Sequence, residues 1–274
     1  GELAIVNRGR LQRSQREVVV KMMHQKDCMY NEQAARDLLA EIRVLSELRH
    51  PRVVEFVGAC LEPTHIALVT ELAPGGNLHH ALHVRRHPFT QGERFHLATE
   101  LLEGVRYLHM QRPAIAHLDL KSTNLVLDAE GRHLQICDFG LSRVMHEEAD
   151  GELQEPPPSQ GGSARYMAPE CYDSNLGPIT EKADVWSSGC ILIEIFGSCL
   201  PYAECNNVQQ IMKNMLVHRC GPAIPAVVEA NVRGAIIFTF VFEVQKRLMV
   251  SQVLVLLQTA ASSAEGRARL SRTP

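Results

Sequence analysis

The tripeptide Pro74-Gly75-Gly76 constrains this chain more than any other feature, because the residue pattern changes character across it. Before it, short β-rich runs alternate with one long helical segment. Arg16-Glu-Val-Val-Val-Lys-Met-Met23 reads as a strand from its β-branched run, and Val53 to Gly58 and Ile66 to Glu71 read as two more. Glu32 to Leu48 carries Ala35, Leu38, Leu39, Ile42, Leu45 and Leu48 at helical spacing. After the break the pattern is mainly helical, over Leu78 to His83, Gln91 to Met110, Glu181 to Phe196, Asn207 to Leu216 and Ser251 to Gln258. The expectation is an α+β chain in which a small β-rich lobe with one helix, residues 1–72, is hinged to a larger helical lobe, residues 73–274.

A chain of 274 residues can bury a real core, and 45% apolar with 22% charged residues is ordinary for a soluble globular enzyme. A net charge of -3 gives no electrostatic case for binding nucleic acid or a membrane surface. The strongly apolar stretch Gly234 to Phe242 is far short of the roughly 20 residues that a membrane span needs. Asn7, Arg8 and Arg10 are not followed by an apolar core, so no signal peptide is expected there. The 8 cysteines form no C-x-x-C pair and no zinc-type spacing with histidine, which reads as reduced thiols and a cytoplasmic location. His146 to Gln160 is acidic and then runs into Pro156-Pro157-Pro158, the composition of a mobile loop.

Two polar segments carry the chemistry. One is His117-Leu-Asp-Leu-Lys-Ser-Thr-Asn124; the other, 14 residues past Asn124, is Asp138-Phe139-Gly140, which follows the strand-like Leu134-Gln-Ile-Cys137. A carboxylate at a strand end, followed by glycine, can hold Mg²⁺ against bridging phosphate oxygens. Cys137, next to that carboxylate, is either a thiol facing the same site or an inert buried cysteine.

Together these segments resemble the catalytic loop H-R-D-x-x-x-x-N and the D-F-G of the eukaryotic protein kinase catalytic domain. The resemblance implies a bilobal fold and transfer of the γ-phosphoryl group of Mg-ATP to protein hydroxyls. Asp119 would accept the substrate's hydroxyl proton, Asn124 and Asp138 would hold metal, and Lys121 would sit near the transferring phosphate. Val18-Val-Val-Lys21 matches the strand whose lysine reaches the ATP phosphates. Its expected partner is Glu41; Glu32 and Glu47 compete on the same helix, but Ile42 and Leu45 mark the face of Glu41 as the inward one. Thr70 falls at the gatekeeper position and Glu71 to Ala73 at the hinge that meets adenine.

Further along, Gly162-Ser-Ala-Arg-Tyr-Met-Ala-Pro-Glu170 is similar to the end of an activation segment, with Glu170 expected to pair with Arg247. Asp184-Val-Trp-Ser-Ser-Gly189 resembles the start of the helix whose aspartate braces the catalytic loop. His50-Pro-Arg-Val-Val-Glu-Phe-Val-Gly-Ala-Cys60 and Lys121-Ser-Thr-Asn124 resemble the tyrosine-kinase-like group, the Raf-like and mixed-lineage branch, and Lys121 favours Ser/Thr acceptors. Protein substrates, ATP and Mg²⁺ are therefore the implied partners and cofactors, with no nucleic acid and no membrane span.

Four departures stand out. The glycine-rich phosphate loop is incomplete: alignment puts Gly1 at its middle glycine, Ala4 at its third and Val6 at the valine beyond it. Leu118 replaces the arginine of H-R-D that pairs with an activation-segment phosphate, so activity is expected to depend little on phosphorylation there, with Ser159 a better regulatory position than Ser163. Thr239-Phe-Val-Phe-Glu-Val244 and Leu248 replace a C-W-x-x-D-P motif and the proline after Arg247, leaving apolar residues that read as exposed. Asn7 takes an aromatic position. The alternative to an active kinase is a pseudokinase serving as a nucleotide-binding or scaffold module.

Overall fold

The β-branched run opposite Ala4–Arg10 builds the first hairpin, β1 (Ala4–Arg10) and β2 (Glu17–Met23), which pairs Val6 with Lys21 and Asn7 with Val20. The structure is a computed structural model that describes residues 4–23, 32–62, 65–145 and 163–270, the side chains of residues 32 and 265–270 excepted. Adding β3 (Phe56–Glu62) and β4 (His65–Glu71) gives an antiparallel sheet of order β1-β2-β4-β3. Cross-strand partners in an antiparallel pair share a face, so Val6 and Lys21 project from the same side of it.

Helix α1 (Glu32–Glu47) packs against this sheet through Leu38, Ile42 and Leu45, a stripe at the i, i+3, i+4 spacing of one helix face. Leu39 lies off the stripe and is exposed. The strand expected over Val53 to Gly58 begins only at Phe56. The reason is long-range: Val54 N donates to Ile136 O at 3.0 Å and Ile136 N to Arg52 O at 2.9 Å, so this backbone joins a second, distant sheet instead.

That second sheet is β5 (Gly76–Asn77), β7 (Leu125–Leu127) and β8 (Leu134–Ile136); a separate pair joins β6 (Ala114–Ala116) to β9 (Arg143–Met145). Gly75 N donates to Leu127 O at 2.9 Å, and a Cβ on Gly75 would collide with the Asp128 carbonyl, so only glycine brings the two backbones this close. Leu78 to His83 folds around a π-helix at His80–Val84.

Helix α2 (Gln91–His109) starts on a capping box, with Glu93 N donating to Thr90 Oγ1 and Thr90 N to the Glu93 carboxylate. Helix α3 (Lys182–Gly197) buries every residue from Ala183 to Phe196, its carboxylates Asp184 and Glu194 accepting hydrogen bonds from other segments. The remaining helices are α4 (Val208–Met212), which continues as a π-helix at Lys213–Val217, α5 (Ala230–Ile237) and α6 (Val250–Leu270). Sequence periodicity anticipated α6 only over Ser251 to Gln258 and did not anticipate α5. Among the described residues, no helix is long and apolar enough to cross a membrane.

The segment that read as exposed is half-buried or buried throughout except at Glu243. Thr239 is inaccessible, Phe240 and Phe242 stand edge-on to Trp186 with centroids 5.0 and 5.2 Å away, and Val244 is buried. Close approach is possible because Gly189 has no side chain: a Cβ there would collide with the Thr239 hydroxyl. The apolar residues are thus packing for α3, and Leu248 packs against the same core at its edge.

Arg247 is locked beneath them. Its guanidinium donates to both oxygens of Glu170 at 2.6 and 2.9 Å, to Val241 O at 2.8 Å and to Lys182 O at 2.9 Å, with both side chains of the ion pair fully buried. Removing one partner of such a pair strands a buried charge, at a cost of about 3–5 kcal/mol. Arg247→Met should therefore lower the unfolding free energy obtained by urea titration by that amount, and the midpoint with it, whereas Lys246→Met, on the exposed Lys246–Glu243 pair, should leave both nearly unchanged. Equal midpoints for Arg247→Met and the parent chain would contradict this account of the pair.

Candidate active site

Lys21, on β2, projects toward α1 and places its Nζ 2.8 Å from Glu41 Oε2 and 2.7 Å from Asp138 Oδ1. Glu41 is buried on the inward stripe of α1, while Glu47 is exposed. The second oxygen of Glu41 accepts from Phe139 N at 3.1 Å, which ties the helix to the backbone of Asp138-Phe139-Gly140. Desolvation pulls the Lys21 ammonium down, but the charges of Glu41 and Asp138 and its hydrogen bonds to both outweigh that and raise its pKa well above the usual lysine range. Burial likewise pushes Asp138 up, and the Lys21 charge and hydrogen bond more than reverse it, holding the carboxyl below its ordinary value. Lys21 and Asp138 are therefore charged at neutral pH.

Asp138 follows β8 with φ 63°, a left-handed conformation that aspartate tolerates better than most residues. Phe139 is buried beneath it, its ring 4.9 Å from that of His117. His117 Nε2 lies 3.1 Å from Cys137 O, so one imidazole touches both neighbours of Asp138. Cys137 is half-buried, and desolvation pushes its thiol up to about 12, which disfavours a reactive thiolate there.

The catalytic-loop segment hangs from α3. Asp184, fully buried, accepts from His117 N at 2.7 Å and Leu118 N at 2.8 Å, and lies 3.0 Å from His109 Nε2. These bonds hold Leu118 at φ 61°, a costly conformation for a non-glycine residue. Leu118 is buried there, so it spends the arginine position of H-R-D on packing.

Asp119 follows. Its Oδ2 accepts from Lys121 Nζ at 2.7 Å and from Asn124 Nδ2 at 3.0 Å; the same Asn124 amide donates to Asp119 O at 2.9 Å. Lys121 Nζ also donates to Ser163 Oγ at 2.9 Å, which ties the loop to the end of the activation segment. Asn124 keeps its amide oxygen free of any hydrogen bond among the described residues. An amide oxygen and the Asp138 carboxylate are hard oxygen donors, the kind that Mg²⁺ takes.

At the other edge of the site, Thr70 is half-buried on β4, opposite Val19. The side chain of Glu71 accepts from Glu55 N and from Gln135 Nε2, both at 2.7 Å, so it braces the turn. Ala73 is half-buried two residues on, and Val6 is exposed on the face it shares with Lys21. Gly1 lies outside the described residues, as do Ser159 and the acidic proline-containing segment. Reading the sequence missed Ser122, Tyr166 and Glu194, which meet under the catalytic loop. Ser122 Oγ donates to Glu194 Oε2 at 2.7 Å and lies 3.3 Å from Tyr166 OH.

The family model described as the protein kinase domain matches residues 1–254. Serine/threonine-protein kinase CTR1 of Arabidopsis thaliana is 34% identical over 71% of this chain and 23% of its own length. Dual specificity protein kinase shkC of Dictyostelium discoideum is 31% identical over 82% of this chain and 42% of its own length. Mitogen-activated protein kinase kinase kinase 15 of Mus musculus is 28% identical over 93% of this chain and 18% of its own length. The chain thus spans less than half the length of each of these relatives. With a family model matching nearly its whole length and relatives of the tyrosine-kinase-like type, the chain belongs to the protein kinase domain family.

Proposed function

We propose that this chain is an active catalytic domain that transfers the γ-phosphoryl group of Mg-ATP to serine and threonine hydroxyls of other proteins, with the two lobes meeting at residues 72 and 73. The observation that carries the reading is Lys21 Nζ held between Glu41 and Asp138 at 2.8 and 2.7 Å, with the Asp119–Lys121–Asn124 cluster formed beside it. A pseudokinase freed from selection for catalysis has no need of that arrangement.

Magnesium and ATP would supply the charge neutralisation and the phosphoryl group; Asp138 and Asn124 are the residues to hold the metal. Lys21 would position the α- and β-phosphates while Glu41 fixes its ammonium. Thr70 and Val6 would border adenine, and the backbone of Glu71 to Ala73 would offer it hydrogen bonds. Asp119 would accept the proton of the incoming hydroxyl, and Lys121 would offset charge on the transferring group while keeping Asp119 oriented. Leu118 leaves the loop without its usual phosphate-binding cation, so the activity is expected to be insensitive to phosphatase treatment.

Asp119→Asn should slow phosphorylation of a peptide substrate by roughly 10²–10⁴-fold with nucleotide affinity nearly intact, the loss expected for a positioned general base. Phosphoamino-acid analysis of the product should return phosphoserine and phosphothreonine. Parent-like rates in the variant would remove Asp119 from this role.

In a thermal-shift titration, Mg-ATP should raise the melting temperature, since a ligand that binds only the native state stabilises it by mass action. Lys21→Met should shrink that rise. No shift at millimolar Mg-ATP would favour the scaffold reading instead.

A further inference from the structure

Outside the nucleotide site, His79, His83 and Glu194 bring three ligand atoms within 4.8 Å of one another. His79 and His83 stand four residues apart where the chain winds helically around His80–Val84, so both imidazoles face the same way, with ring centroids 4.9 Å apart. Glu194 comes from α3 and is fully buried. Its Oε2 lies 2.7 Å from His83 Nε2 and 4.0 Å from His79 Nδ1.

Glu194 Oε1 is the telling atom. It is buried, yet among the described residues it has no hydrogen-bond partner. A buried carboxylate oxygen without a donor leaves the group short of positive charge, and a cation on its other oxygen, Oε2, is one way to supply it. The other cluster of this kind, His96, Glu100 and His133, is differently placed: Arg52 Nη1 already sits 2.8 Å from Glu100 Oε1 and supplies the positive charge. Neither lysine nor arginine pairs with Glu194 among the described residues.

We propose that His79, His83 and Glu194 form a binding site for a divalent transition-metal ion, zinc being the best match to two imidazoles and one carboxylate. Zinc binds such ligands at about 2.0–2.2 Å, so the spread of the three atoms closes on an ion with small side-chain rotations, and the His83–Glu194 contact becomes a shared bond to metal. Ser122 Oγ donates to Glu194 Oε2, which places an orienting hydroxyl on the carboxylate ligand. His79 is one-third exposed, so solvent reaches the ion and fills its fourth position. Bound metal would clamp the π-helix to α3 and, through Ser122, brace the loop beside Lys121.

The test uses the chain stripped of metal with chelator. Zinc competition against a chromophoric chelator should give one equivalent bound. His79→Gln and His83→Gln should each weaken that binding by at least about tenfold with unchanged far-ultraviolet circular dichroism, while His133→Gln should not. Cobalt(II) in the same site should give the visible absorption of a four-coordinate ion without thiolate charge transfer, which separates it from the cysteines. If His83→Gln fails to fold, the more exposed His79→Gln carries the comparison. Zinc bound equally well by both glutamine variants, thiolate bands with cobalt, or no equivalent bound by the parent chain would each overturn the proposal.

Discussion

One buried carboxylate organises this molecule. Asp184 sits inside the core at the start of α3 and turns both oxygens toward the backbone of His117 and Leu118, with His109 on the same carboxylate. Hydrogen bonds to a charged acceptor are the strong ones, and here they oppose the strain of Leu118 in a left-handed conformation. From that anchor the order of the site propagates by contact. His117 lies against Phe139 and the carbonyl of Cys137, Phe139 N reaches Glu41, and Glu41 meets Lys21. A helix in the larger part of the molecule thereby sets the position of a lysine on the distant four-stranded sheet.

Helix α3 can serve as that anchor because it is buried all round and because its polar residues are spent on other segments. Asp184 holds the catalytic loop from one end, and Glu194 holds Ser122 of the same loop from the other. Nearby, the Glu170–Arg247 pair fixes the end of the activation segment to the chain that precedes α6. Phe240 and Phe242 close over Trp186, where Gly189 leaves room. The residues that stand in place of the expected C-W-x-x-D-P pattern thus cover α3.

The residues proposed for the site were legible in the sequence because the motifs they resemble fix residue types at fixed offsets, and the fold brings them together. Asp119, Asn124 and Asp138 were proposed from their resemblance to kinase motifs, and Glu41 could be preferred over Glu47 because periodicity showed which face of the helix was inward. What stayed hidden depends on contacts that leave no local pattern. Ser122 meets Glu194 across 72 residues and His83 meets it across 111. Val53 and Val54 looked like strand and are half of a junction with β8, formed by hydrogen bonds that periodicity cannot see. The apolar run over residues 239–244 had composition but no motif, so its packing against Trp186 emerged only with the fold.

The central claim is that Asp184 acts on catalysis through the loop backbone rather than through bulk stability. Asp184→Asn tests it most directly, since the amide keeps the shape but weakens the acceptance of two backbone N–H groups. Steady-state phosphorylation of a peptide should lose roughly 10²-fold in kcat, the scale of a small misplacement of a reacting group, with the KM for ATP little changed and a cooperative thermal transition retained. An unchanged kcat in the folded variant would contradict the account.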